Sequence, residues 1–222
     1  MEFTDEIGCE LVQACASDLT VVNAARVSFN KESQEMSPRD AGLIGFLMRN
    51  RHGTPFEHSM FTFKVEAPIV VVREHMRHRA GHSYNEYSGR YSKMEPKFYL
   101  PTFIRTQQGK PGAYDFAPIL DSRAVEFRCE LRDQCMESYR MYERQVDQGI
   151  AKEQARLLLH VNTFTKYFWT CNARSLMHFL TLRNHEAAMY EIAQVAKQAE
   201  EHFAELMPVT WKAYVDSGRK NP

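Results

Sequence analysis

Two stretches far apart in the chain carry strand patterns, and each runs directly into a helical pattern. From Ser59 to Glu66, Met60, Thr62, Lys64 and Glu66 alternate with Phe61, Phe63 and Val65. That is the two-residue period of a strand with one buried face. Pro68 then opens a helix through Val71, Val72, His75 and Met76. Thr163 to Cys171 is aromatic and β-branched, as a strand requires, and Ala173 to Arg183 follows with helical spacing. Strands mixed with helices over 222 residues predict an α+β chain. We read residues 1–222 as a single mixed α/β domain with a central sheet flanked by helices.

The remaining elements are read from caps and breakers. Cys9 to Cys15 is expected as a short strand. Asp18 is placed as the cap of a helix through Val21, Val22, Ala25 and Val27. Ser37-Pro38, with Asp40 three residues after Ser37, starts a helix that stops near Gly53. Tyr84 to Met94 is expected as a polar loop, Phe98 to Leu100 as a short strand, and Gln107 to Pro118 as an exposed connection. A long helix runs from Asp121 to Gln148 and ends at Gly149, and a shorter one covers Ala151 to Leu159. The last helix covers Ala187 to Leu206, with Pro208 as its stop.

Composition narrows the function class. Lys plus Arg and Asp plus Glu both number 28, so no global field draws the chain to nucleic acid or to an anionic membrane. The five cysteines, Cys9, Cys15, Cys129, Cys135 and Cys171, form no Cys-x-x-Cys pair. Neither a disulfide scaffold nor a structural zinc site is expected. Reduced thiols, an acidic N-terminus without a signal core and no bilayer-length apolar run point to a cytoplasmic protein.

Within this neutral chain, Arg73 to Arg90 concentrates charge. It holds Arg73, Arg77, Arg79 and Arg90, with His75, His78 and His82. Guanidinium forks match phosphate and carboxylate oxygens. The plain alternative is a solvated basic helix end. Ser83-Tyr84-Asn85-Glu86-Tyr87-Ser88-Gly89-Arg90-Tyr91 follows, rich in donors, with Gly89 allowing close backbone approach. Histidines spaced three and four apart also suit a metal, but the interleaved arginines oppose a dication.

A second cluster holds Arg156, Asn172-Ala173-Arg174, His178 and Arg183. Their plain readings are a surface salt bridge for Arg156, an N-cap for Asn172, a packed core position for His178 and an exposed helix-end charge for Arg183. No dinucleotide fingerprint, phosphate loop, nucleophile elbow or zinc-protease motif occurs.

Arg77-His78-Arg79, followed by Ser83, Asn85-Glu86, Ser88 and Arg90-Tyr91, resembles the signature of flavin-dependent thymidylate synthases. Eight residues, Ala80 to Tyr87, separate Arg79 from Ser88, one more than the usual spacing. The extra residue is expected to alter the path of Ala80 to His82. Thr54-Pro55-Phe56-Glu57-His58 and Phe168 to Met177, continuing through Phe179 to Arg183, also match, so the resemblance extends from about Cys9 to Pro208.

The resemblance implies the family's fold and a set of roles. Thr54, Arg77, His78, Arg79, Glu86, Asn172, Ala173, Arg174 and His178 stand at FAD positions, some serving a neighbouring subunit's cofactor. Glu74, His75, Met76, Arg77, Glu86, Tyr87, Ser88, Gly89, Arg90, Arg156 and Arg183 stand at dUMP positions, with Arg183 catalytic and no metal. Glu74 and His178 replace amide residues seen in other members. The implied reaction is reductive methylation of dUMP to dTMP. Methylenetetrahydrofolate supplies carbon, NADPH reduces FAD, and no cysteine acts as nucleophile. The implied assembly is a homotetramer with shared sites, without nucleic-acid or membrane partners. Ser88 is read as a positioning hydroxyl, because no base is paired with it. Two other readings remain from the residues alone: a metal-dependent nucleotide hydrolase using His75, His78 and His82, and a nucleic-acid binder using the basic stretch.

Overall fold

Eight α-helices and eight strands form a mixed α/β fold in the computed structural model, which describes residues 1–222. In chain order they are β1 (Glu2–Thr4), β2 (Gly8–Cys15), α1 (Asp18–Arg26), α2 (Pro38–Arg49), β3 (Met60–Pro68) and α3 (Ile69–His75). Next come β4 (His82–Glu86), β5 (Lys97–Tyr99), β6 (Gln108–Lys110), β7 (Ala113–Asp115), α4 (Ser122–Asp147) and α5 (Lys152–Ala155). Last are β8 (Phe164–Asn172), α6 (Ala173–Arg183), α7 (Tyr190–Leu206) and α8 (Pro208–Asp216). No helix is long and apolar enough to cross a membrane.

The chain forms two compact units, each assembled from separate stretches of sequence. The first contains Met1–Ile7, Glu66–Arg73 and Glu86–Lys166. Here β1 pairs in parallel with β5, with Phe3 opposite Phe98. Met94, Phe98, Cys135, Tyr139, Tyr142 and Ala155 make a buried core. Tyr139 and Tyr142 lie one turn apart on α4, so both reach the same neighbour. The Tyr139 hydroxyl donates to Met94 O at 2.8 Å, and Met94 N donates to the Tyr142 hydroxyl at 3.0 Å. Two buried phenols thereby satisfy one buried main-chain residue. Residues 107–118, expected as a plain connection, instead contain the hairpin β6–β7. Gly112 takes φ +84° at its turn, a conformation glycine supplies without steric penalty.

The second unit contains Gly8–Val65, Glu74–Asn85 and Tyr167–Pro222, and is built on a four-stranded sheet of order β2-β3-β8-β4. Alternation places Phe61 and Phe63 on one face of β3, both fully buried, while Met60 is exposed. Each such ring contributes about 1.5–3 kcal/mol through burial. Phe63 packs on Trp169 of β8 at 4.9 Å, and Phe61 on Phe203 of α7 at 6.0 Å. The Thr62 and Thr170 hydroxyls meet at 3.0 Å.

Helix caps show where local signals and tertiary structure part. Ser37 N donates to Asp40 Oδ2 at 2.9 Å at the start of α2, as the pattern predicted. Asp18, expected to cap α1, is instead the first residue of that helix, and Ser17 Oγ accepts from Thr20 N. The Asp18 carboxylate is buried and caps α8, accepting from Val209 N at 3.0 Å and Thr210 N at 2.8 Å. Pro208 ends α7 as expected, but its fixed φ also starts α8. Part of the expected Tyr84–Met94 loop is strand, because β4 covers His82–Glu86.

Replacing Asp18 by Ala is expected to remove the α8 cap and destabilise the protein by roughly 1–2 kcal/mol. Urea unfolding of the variant should show it, and Asp18→Asn should recover part of the loss. An unchanged midpoint for Asp18→Ala would contradict the cross-chain cap.

Candidate functional site: an arginine-histidine cleft and an arginine-bearing turn

In the second unit, the end of α3 runs into the Arg77-His78-Arg79 turn. His78 N donates to His75 O at 3.0 Å, and His82 N to Arg79 O at 3.2 Å. The Tyr84 hydroxyl hydrogen-bonds both His75 O and His78 O, at 3.1 and 2.9 Å, so β4 ties down the helix end that precedes it. Gly81 carries the chain between them at φ +71°. A Cβ there would overlap Ser175 Oγ and lie 2.9 Å from Asn172 Nδ2. Only glycine fits. The Ser175 hydroxyl donates to Ala80 O at 2.9 Å, docking the turn on the start of α6.

Arg183, at the end of α6, reaches back to this turn. Its Nε donates to His78 Nε2 at 2.9 Å, and its Nη1 bonds Glu74 Oε1. The Arg183 side chain is only 16 % exposed, so it is not a solvated helix-end charge. Nε and Nη1 are engaged, while Nη2 has no partner in the chain. His78 accepts at Nε2, which requires a neutral ring. Its pKa is held down at about 4 by burial, then by Arg183 and by the neighbouring histidines.

Arg77, His78, Arg79, Ala80, His82, His178 and Leu182 line one cleft of about 650 Å³. Arg77 and Arg79 are exposed, and neither forms an ion pair in the chain. His178 is exposed on α6, not packed in the core. His82 is also pushed down to about 4, by burial and by His178. His75 behaves differently. Its ring is fully buried against Tyr84, Tyr167, Trp169 and Phe179, and its Nδ1 shares a 2.7 Å hydrogen bond with the Tyr167 hydroxyl. No three His, Cys, Asp or Glu side chains converge to hold a metal ion.

The other residues of the second unit extend the picture. Asn172 is the N-cap of α6, with Oδ1 accepting from Ser175 N at 2.8 Å. Ala173 is buried, and its N–H donates to Ser59 O at 2.9 Å. Arg174 Nη1 bonds Glu57 at 2.6 Å. Its guanidinium passes over Gly53, where a Cβ would sit 2.5 Å from Nε. Thr54 follows, exposed, at the start of a short 3-10 turn. Met76 is half-buried.

In the first unit, Glu86 accepts from the Thr165 hydroxyl at 2.9 Å, and Tyr87 N donates to Lys166 O at 2.8 Å. Tyr91 N and Ser92 N both donate to Ser88 O, closing a tight turn. Gly89 is buried in it. A Cβ there would stand 2.7 Å from Met94 Sδ and 3.4 Å from Arg156 Cδ. The aliphatic stem of Arg156 therefore crosses the turn. Arg156 and Arg90 are both exposed and form no ion pair, although Arg90 Nη2 donates to the Tyr91 hydroxyl at 3.0 Å. The basic stretch thus meets the C-terminal segment once in each unit: Arg156 at Gly89, and Arg183 at His78 and Glu74. The resemblance gives His82 no role, and the residues alone offered it only as a metal ligand beside His75 and His78. The signal that finds it is the hydrogen bond from Trp169, which joins residues distant in sequence.

The cleft and the turn, both rich in guanidinium and carried by a mixed α/β fold, define a protein equipped to hold anionic ligands. Residues 10–209 match the family described as thymidylate synthase complementing protein. A flavin-dependent thymidylate synthase from Streptomyces avermitilis is 43% identical, over 99% of this chain and 95% of its own length. That of Thermotoga neapolitana is 42% identical over 93% and 89%. The crystal structure of the UMP/dUMP methylase PolB from Streptomyces cacaoi, bound with 5-Br dUMP, superposes with a TM-score of 0.93. It is 42% identical and covers 100% of both chains. The chain belongs to the flavin-dependent thymidylate synthase family.

The buried histidines predict an acid sensitivity. His78 and His82 titrate near 4 in the folded chain, against an ordinary 6.5. Between these values the unfolded chain binds protons that the folded one refuses, so stability is lost as pH falls from 6.5 to 4. The loss should approach roughly tenfold in the folding equilibrium per pH unit for each histidine. Urea midpoints measured across that window should fall, and the fall should flatten in a His78→Gln, His82→Gln double variant.

Proposed function

We propose that this chain catalyses the reductive methylation of dUMP to dTMP. Methylenetetrahydrofolate is the carbon donor, NADPH the reductant and FAD the bound cofactor. The observation that carries this reading is the arrangement around Arg183. A half-buried guanidinium is held by Glu74 and by neutral His78, with Nη2 left free to donate. A fixed cation beside the pyrimidine stabilises negative charge as nitrogen 3 loses its proton or carbonyl 4 gains electron density. Glu74 fits this role as the carboxylate that holds the guanidinium, where an amide could offer only a neutral acceptor.

The cofactor suits the donors present. The cleft offers two unpaired guanidiniums and a buried, unpartnered His82 Nε2, a set matched to an anionic, acceptor-rich group. By family position Thr54, Arg77, His78, Arg79, Glu86, Asn172, Ala173, Arg174 and His178 hold FAD, some of them for a neighbouring subunit of a homotetramer. Reduced FAD supplies the hydride for uracil carbon 6, the position that cysteine-dependent synthases attack with a thiolate. Three of the five cysteines suit this division of labour, and none of the five lines the cleft. Cys9, Cys135 and Cys171 are buried, and burial pushes all three thiols up, away from the thiolate.

By the same resemblance dUMP contacts Glu74 to Arg77, Glu86 to Arg90, Arg156 and Arg183. Arg90, Arg156 and the Ser88-Gly89 main chain suit the phosphate, because the two guanidiniums have no carboxylate partner. Ser88 positions and does not attack.

Purified protein should carry stoichiometric flavin and form dTMP from dUMP, methylenetetrahydrofolate and NADPH. Arg183→Ala should lower turnover roughly 100- to 1000-fold with the fold intact, and Lys should rescue poorly because it lacks the planar fork. Near-normal turnover in folded Arg183→Ala removes the activating role. Arg90→Ala should raise the dUMP requirement while leaving flavin content unchanged. Loss of flavin with dUMP affinity preserved would reverse the assignment of that turn.

A further inference from the structure

Trp169 Nε1 donates to His82 Nδ1 at 2.9 Å. The two ring planes are inclined by only 11°, with centroids 5.9 Å apart, and the indole N–H is directed at Nδ1. An indole nitrogen only donates. Nδ1 must therefore be unprotonated, and the neutral ring carries its proton on Nε2. Trp169 is fully buried between Phe63, His75 and Phe179, so it holds this tautomer without competition from solvent. Burial and His178 keep the ring uncharged at neutral pH.

The Nε2–H so defined is buried and has no hydrogen-bond partner in the chain. A buried donor left unpaired is costly and rarely tolerated without a reason. His82 also lines the cleft that contains Arg77, Arg79 and His178. It lies next to the Gly81 turn, outside the positions to which the family resemblance gives roles.

We propose that His82 is a further cofactor-binding residue whose Nε2–H donates to an acceptor atom of the flavin nucleotide held in this cleft. The inference rests on the flavin reading of the cleft given above. Arg77 and Arg79 supply charge from flexible stems, whereas His82 supplies one donor of fixed direction. Trp169 acts through His82 as a positioning residue. An oxygen or ring nitrogen of the isoalloxazine and a phosphate oxygen share the required chemistry.

The test uses the full-length protein. FAD is titrated into flavin-stripped wild type, His82→Phe and His82→Gln, with flavin fluorescence as the readout and circular dichroism as the check on folding. Phe keeps the ring shape but removes the donor, and should weaken FAD binding roughly tenfold. Gln accepts from Trp169 through Oε1 and donates through Nε2, and should restore most of the affinity. Riboflavin titrations separate the two acceptor sources. Weakening shared with riboflavin puts the bond on the ring, and weakening confined to FAD puts it on a phosphate. A folded His82→Phe with unchanged FAD affinity overturns the proposal. If that variant does not fold, nitrogen-15 spectra of the wild type decide, because the His82 Nε2–H resonance must shift on FAD addition and an unmoved resonance overturns it. Wild-type protein that binds no flavin sinks the proposed function itself, together with this inference.

Discussion

The close seating of Gly81 against the start of α6 governs how the cleft of the second unit is built. Any side chain at Gly81 would occupy the space of Ser175 Oγ. With glycine there, the turn after Arg79 packs on the start of α6 and is held by the Ser175 hydroxyl, which donates to Ala80 O. Everything downstream follows from that seat. His82 arrives beside Trp169, His78 arrives beside Arg183, and the Tyr84 hydroxyl bonds the His75 and His78 carbonyls. A turn displaced by one residue would break all three contacts together, because a one-residue shift reverses the faces of β4.

The electrostatic character of the cleft comes from the same packing. Three histidines lie among arginines in a chain with no net charge. Solvated, they would titrate near neutrality and add to the repulsion. Burial removes them from that balance by keeping them neutral. His78 then serves as an acceptor for Arg183, and His82 as an acceptor for Trp169. Positive charge is left to guanidiniums, which do not titrate. Glu74 balances Arg183 locally, so that guanidinium is fixed by two partners and not by solvent.

Much of the fold could be read directly. The alternation in Ser59–Glu66, the aromatic run ending at Cys171, the Ser37-Pro38 start and the long helix before Gly149 are signals whose cause is local, and the structure carries each of them. The errors share a different cause. Asp18 has the chemistry of a cap, and capping is its role, but the helix it caps lies far along the chain. His82–Glu86 pairs as a strand although its polar residues give no alternation. Arg183 reads as a helix-end charge until Glu74 and His78 surround it, and His178 reads as a core residue until α6 turns it outward.

Residue chemistry and spacing by themselves determined the elements, the concentration of arginine in an otherwise neutral chain, and the family resemblance, because each depends on neighbours within a few residues or on order along the chain. Tertiary structure alone decided which arginines are held and which stay unpaired, which histidines are buried, and which nitrogen of His82 bears the proton. Those properties are set by solvent exclusion and by single hydrogen bonds between residues some 90 to 110 positions apart, a distance over which no local pattern carries information.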